Sequence, residues 1–264
     1  MDLKMDIDYD KDKWGVLNLK HLVLEAENFI VFIDNSNDLD WITTKEYDQI
    51  GPQSIEKHHE ILNMVALLEC KPITHFSENN QLNYKRLLGE ALARSLNHDY
   101  KKASSILIYA EDFLIDRGKE LSRQWYLNRA GITALSLFVI AIIMWLFRVF
   151  CIKILGESVF IVSLSMFCGG LGALLSIIFR MGNESIDCLA GKKLHELESM
   201  YRIVAGMLSA LLASLLVRSE LFLPMFSKMN HINLSIIAIG FIAGMSERFA
   251  PSILAKLDKH KKKL

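Results

Sequence analysis

VFIVSLSMFCGGLGALLSIIF, residues 159–179, runs for twenty-one positions without a charged side chain. A hydrocarbon core about 30 Å thick needs roughly 20 apolar residues in helical form, so this stretch is long enough to cross a membrane. Its centre is rich in small residues: Gly169, Gly170, Gly172 and Ala173, with Ser176 a turn later. In lipid, small residues three and four apart let helix backbones approach closely. Tight helix packing or a small-residue pore lining would each use them.

Working outward, AGITALSLFVIAIIMWLF (130–147) supplies eighteen uncharged residues and is a second span by the same rule. IVAGMLSALLASLLV (203–217) has fifteen and INLSIIAIGFIAGM (232–245) fourteen, the latter counted as a span to residue 247. Those two lengths suit a buried core helix or a re-entrant segment as readily as a crossing. They can cross if Arg218 or Arg248 snorkels or the bilayer thins locally. Both repeat the small-residue pattern, with Gly206 among alanines and serines in the former and Gly240, Ala243 and Gly244 in the latter. Segments 159–179, 203–217 and 232–247 are therefore expected to pack on one another or on a second copy of the chain.

Charge placement orients these segments. With the first half on the cytoplasmic side, the inner flanks hold Arg117, Lys119, Arg123, Arg129, Arg180, Lys192, Lys193, Arg202, Arg248 and the tail LAKLDKHKKKL (254–264). The outer loops hold only Arg148, Lys153, Arg218 and Lys228. That asymmetry is the positive-inside pattern and puts both termini in the cytoplasm, whether the chain crosses four times or twice. Net charge is zero, so the total indicates neither a nucleic-acid binder nor an acidic partner surface. Cys70, Cys151, Cys168 and Cys188 show no paired spacing, so a disulfide framework is not expected. The acidic start MDLKMDIDYDKDKW has no apolar core of a signal peptide.

The expected organisation is an acidic, disordered tail (1–16), a cytoplasmic helical domain (17–129), a transmembrane domain (130–254) and a basic tail (255–264). The fold class is all-α: a helical domain followed by a small multi-pass bundle. LKHLVLEAENFIVFI, SIEKHHEILNMVALLE and NYKRLLGEALARSL each repeat apolar residues near a 3.6 period, and strand-like alternation is weak. Ser54 is placed to cap a helix, and Asn97-His98-Asp99 reads as a turn between two more. Leu87, Ala91, Ala103, Leu107 and Ala110 match the packing positions of one tetratricopeptide-like hairpin. Between the second and third spans, RMGNESIDCLAGKKLHELESMYR (180–202) reads as a short amphipathic helix on the membrane surface, with Leu189, Leu194, Leu197 and Met200 on its apolar face.

Candidate chemistry is sparse. No phosphate-binding glycine loop, HExxH, GxSxG or paired-cysteine zinc pattern occurs. His58-His59 points to different faces of a helix, and His195 with Glu198 lacks further ligands, so both are read as solvated surface groups. An enzyme is disfavoured, and no cofactor or metal is expected. Arg117, Lys119, Arg123 and Arg129, interleaved with Trp125 and Tyr126, suit a membrane interface: amphipathic rings at headgroup depth and cations toward anionic lipid. Arg180 ends the second span at the depth predicted for Glu247-Arg248. An Arg180–Glu247 latch between helix ends is one reading of these charges. The other is Arg248 snorkelling with Glu247 in solvent. Pro251 would re-aim the chain beyond them.

The pair CGGLGALLSIIFR (168–180) and GFIAGMSERFAPSIL (240–254), separated by an amphipathic loop and a third apolar segment, resembles a block common in bacterial inner-membrane proteins. Several of those look like membrane effectors of anti-phage defence. The amino-terminal region entering the membrane through SRQWYL (122–127) most resembles the transmembrane effector of retron systems. The resemblance covers about the last half of the chain well and the first half loosely. It implies a toxin that compromises the inner membrane when released from an inhibitory partner, a reverse transcriptase with its noncoding RNA–DNA product, and so causes abortive infection. A non-toxic anchor recruiting a cytoplasmic partner and a small channel are the alternatives.

Overall fold

Phe29-Ile-Val-Phe-Ile33 is five consecutive β-branched or aromatic residues, a composition that favours a strand buried on both faces over a helix. In the computed structural model, which describes residues 8–181, 187–188, 190–219 and 232–246, this run is the centre of a three-stranded antiparallel sheet. The strands are β1 (Leu19–Glu25), β2 (Phe29–Asp34) and β3 (Leu39–Thr43), in that spatial order. This corrects the helical reading of LKHLVLEAENFIVFI. The period of two is hidden in β1 because its pairing with β2 slips between Leu19 and His21 and again between Leu22 and Leu24. Each irregularity inserts a residue and shifts the apolar positions toward a helix-like spacing.

The chain divides into two compact units, residues 1–120 and 121–264. In the first, alternate residues of β2 serve two cores. Phe29, Val31 and Ile33 join the helices, whereas Ile30 and Phe32 pack with Trp14 and with Tyr9, Leu17, Leu19 and Leu22. Trp14 closes α1 (Lys11–Trp14), whose first turn is capped by Asp10. The indole Nε1–H donates to Glu25 Oε1 at 2.8 Å. Residues 8–16, expected as part of a disordered tail, thus cover the sheet: one large aromatic supplies the apolar area that holds them.

Helices α2 (Lys45–Ile50), α3 (Ile55–Glu69) and α4 (Glu78–Leu96) follow, and α5 (Tyr100–Leu146) begins within the same core. Ser54 takes the N-cap position of α3 without a side-chain cap bond; its N–H donates to Tyr100 Oη at 3.1 Å. The turn from α4 to α5 passes through His98 at φ 64, and Ala91, Ala103, Leu107 and Ala110 are fully buried along the hairpin. Gly89 lets α4 lie on the sheet, since a Cβ there would stand 2.9 Å from Val23 Cγ2.

Of the apolar segments, α5, α7 (Glu157–Arg180) and α8 (Lys192–Arg218) are helices long and apolar enough to cross a membrane. A short α6 (Arg148–Leu155) joins α5 to α7. The last, α9 (Ile232–Met245), has fourteen residues, about 21 Å of helix, short of a full hydrocarbon core. The predicted surface helix at 180–202 is not separate: from Lys192 onward it is the first part of α8. Its buried residues are His195 and Ser199, while Leu194 and Leu197 are exposed.

Candidate functional site

Gly169, Gly170, Gly172, Gly206, Gly240 and Gly244 gather in the second unit, where α7, α8 and α9 pack together. Five of them lie where backbones meet, since a Cβ would stand 2.3 Å from Ala210 Cβ at Gly169, 2.2 Å from Phe241 O at Gly172, 2.5 Å from Ala173 Cβ at Gly206, 2.9 Å from Ser165 O at Gly240 and 2.1 Å from Gly169 O at Gly244. Gly170 faces the other way, toward Leu137 of α5 and Met207 of α8. In lipid no hydrophobic force drives helices together, so this backbone proximity supplies the contact energy through dispersion.

A polar chain crosses the same junction. Ser165 Oγ of α7 donates to the Ile236 carbonyl of α9 at 2.9 Å and accepts from Ser214 Oγ of α8 at 2.7 Å. Both serines are fully buried. From sequence, Ser214 is marked only as one small packing residue of the third apolar segment and Ser165 not at all, because a serine in an apolar helix carries no hydrogen-bond signal until its neighbour is known. At the end where α7 begins and α8 ends, Arg218 hydrogen-bonds Ser158, and Asn233 Nδ2–H donates to Glu157 Oε1 at 2.9 Å.

The opposite end is more open. A cavity of about 190 Å³ lies between Ser176 and Ile177 of α7, Arg202, Gly206 and Ser209 of α8 and Gly244 of α9. Arg202 is held by Glu198 at 3.2 Å and sits 5.7 Å over the Tyr126 ring. Arg180 is the last residue of α7 and is engaged in an interaction of its own. Glu247 and Arg248 lie outside the described residues, as does the tail at 255–264, so the Arg180–Glu247 pair is not seen.

Along α5, Trp125 and Trp145 are twenty residues apart, about 30 Å of helix. That separation matches the thickness of a hydrocarbon core. Arg148 lies 5.5 Å over the Trp145 ring, a pairing suited to headgroup depth. Little of the apolar part of α5 is covered by the rest of the chain.

In the first unit the histidines need correction. His59 is exposed, but His58 is buried and its Nδ1 lies 2.8 Å from Ser95 Oγ. The pair resembles a nucleophile and base, yet Ser95 has no exposed surface for a substrate to reach. Among the described residues no group of three His, Cys, Asp or Glu could hold a metal. Burial lowers the His58 pKa, with smaller contributions from His59 and His98. The unfolded chain therefore takes up a proton first, near the ordinary histidine value of about 6.5. The stabilisation present above that pH is lost as pH falls through the folded value. Thermal unfolding of the first unit should show this acid loss, and His58→Gln should flatten it. An unchanged slope would reject the assignment.

Tyr84 is fully buried and donates to the Leu68 carbonyl at 2.8 Å. Burial, then the Glu111 and Glu69 carboxylates, hold its pKa well above the phenol range, so it remains a donor.

His195 is also buried rather than solvated. Its exposure is 2% and neither ring nitrogen has a hydrogen-bond partner among the described residues. Its ring centroid lies 6.3 Å from that of Trp125. No protein-family model, curated protein or solved structure matches this chain.

Proposed function

We propose that the chain is a membrane-embedded effector of a bacterial antiviral defence system, of the retron type. It resides in the inner membrane with both termini cytoplasmic. It stays silent while its first unit is engaged by a reverse transcriptase and that enzyme's noncoding RNA–DNA product, and it compromises the membrane when released. The observation that carries this reading is α5. Its first turns, through Ala103, Leu107, Ala110 and Leu114, belong to the core of the soluble unit. Its last turns are an apolar segment left largely uncovered by the chain. The same helix thus contributes to the first unit's core and carries an apolar face that further copies could cover, which supports an effector whose two functions share one element.

Expression of the full chain alone should depolarise cells, read with a potential-sensitive dye, and co-expression of the partner should restore the potential. Normal growth and potential at high expression would reject the toxin. The anchor alternative has its own support, since among the described residues the backbones of α7, α8 and α9 touch at Gly169, Gly172, Gly240 and Gly244, a packing that a fixed anchor also uses. An anchor tolerates replacement of residues 130–254 by an unrelated span; an effector does not. A reverse transcriptase encoded beside this chain would favour the retron assignment.

A further inference from the structure

Within the second unit, side chains from the last charged turns of α5 meet side chains from the first turns of α8. The rings of Trp125 and His195 are 6.3 Å apart, and Arg129 Nη2 lies 4.0 Å from Met200 Sδ. Between the helices is a cavity of about 220 Å³ lined by Arg129, Lys193, Glu196, Leu197 and Met200.

The charges here are unevenly satisfied. Glu196 lies 3.8 Å from Lys192 and Glu198 lies 3.2 Å from Arg202. Arg129 and Lys193 have no ion pair among the described residues, and both are exposed. Elsewhere on the same two helices, the buried Ser122 Oγ and both His195 ring nitrogens also lack partners among the described residues.

Composition changes sharply at this level. Past Arg129, α5 continues as Ala130, Gly131 and Ile132; past Arg202, α8 continues as Ile203, Val204 and Ala205. Leu194, Leu197, Ile132 and Leu135 are all exposed next to these cations. Two cations with an apolar surface beginning one turn away match a phosphate joined to acyl chains better than a soluble phosphate, which has nothing to lay on the leucines.

We propose that the α5–α8 cleft binds the headgroup of an anionic glycerophospholipid, its phosphate on Arg129 and Lys193 and its acyl chains along Leu197 and the adjoining apolar faces. This rests on the membrane placement of α5 and α8. It does not depend on toxicity.

Trp125 serves as a reporter. The full chain is reconstituted in phosphatidylcholine vesicles in which brominated phosphatidylglycerol or brominated phosphatidylcholine replaces part of the lipid. Quenching lost in Trp125→Phe is assigned to this site. Phosphatidylglycerol should quench with about fivefold or greater preference, the factor that one basic residue supplies at an anionic surface. Arg129→Gln and Lys193→Gln, changes at exposed positions, should each reduce the preference toward unity, while Lys153→Gln on α6 should leave it unchanged. Equal quenching by both lipids would overturn the site but leave the membrane placement standing. Quenching by neither would overturn the placement and the site together. Loss of the preference on adding glycerol phosphate would assign the cleft to a soluble phosphate and overturn the lipid.

Discussion

Gly244→Ala should unseat α9 from α7. The added methyl would lie 2.1 Å from Gly169 O and 2.6 Å from both Gly169 Cα and Gly169 C, all backbone atoms that no rotamer change can move. Overpacking ordinarily costs about 1–3 kcal/mol, and a clash against backbone belongs at the upper end. For a unit of this size, about 3 kcal/mol corresponds to a fall of roughly 6–12 °C in melting midpoint. The measurement is thermal unfolding of the full chain in detergent. Gly131→Ala is the control: nothing lies within 4 Å of its added Cβ. Alanine is also the better helix former by about 1 kcal/mol, so the control should be neutral or slightly stabilising. Equal melting of both variants would mean that the glycine seam does not hold α9.

Lys85→Met should destabilise the first unit by about 3 kcal/mol, the lower end of the cost of breaking a buried ion pair from one side. Lys85 Nζ lies 3.2 Å from Glu69 Oε1 and 3.7 Å from Asp38 Oδ1, and it also donates to the Asn37 carbonyl. The Lys85 side chain is 10% exposed and Glu69 28%, so the pair is only partly screened. Glu69 Oε1 accepts from the Leu39 N–H as well, which ties α3 and α4 to the edge strand β3. Removing the lysine leaves the carboxylate unpaired beside the sheet. Adding Glu69→Gln removes that charge while keeping an oxygen for Leu39, so the double variant should recover part of the loss. Hydrogen exchange in β2 reads the result. A double variant less stable than Lys85→Met would contradict this account.

The apolar half was readable because a segment able to cross lipid meets one demand: every backbone polar group must be satisfied within it. Length and charge at residues 130–147, 159–179 and 203–217 therefore locate three helices, and small residues mark a seam. The polar half was less readable. There helix and strand compete for the same apolar residues, and the two irregularities in β1 disguised its period. Trp14 carried no legible role because its partners, Ile30 and Phe32, face away from the helical core. His58 and His195 were misread for a related reason: nothing local in a helix tells which side a neighbouring element will cover.

By itself, then, the sequence determined where the apolar segments lie and the division between a polar and an apolar half. These follow from composition summed over a turn or more. It left open which of the two shorter segments is long enough to cross; the structure makes 203–217 part of a long helix and leaves 232–245 short. Only the tertiary structure decided that residues 19–43 pair as a sheet, that Ser165, Ser214 and the Ile236 carbonyl meet, and that Gly169 and Gly244 touch through their backbones. Those facts join residues as many as 75 positions apart. A single side chain's type carries no information about a partner so distant in the chain until folding brings the two into contact.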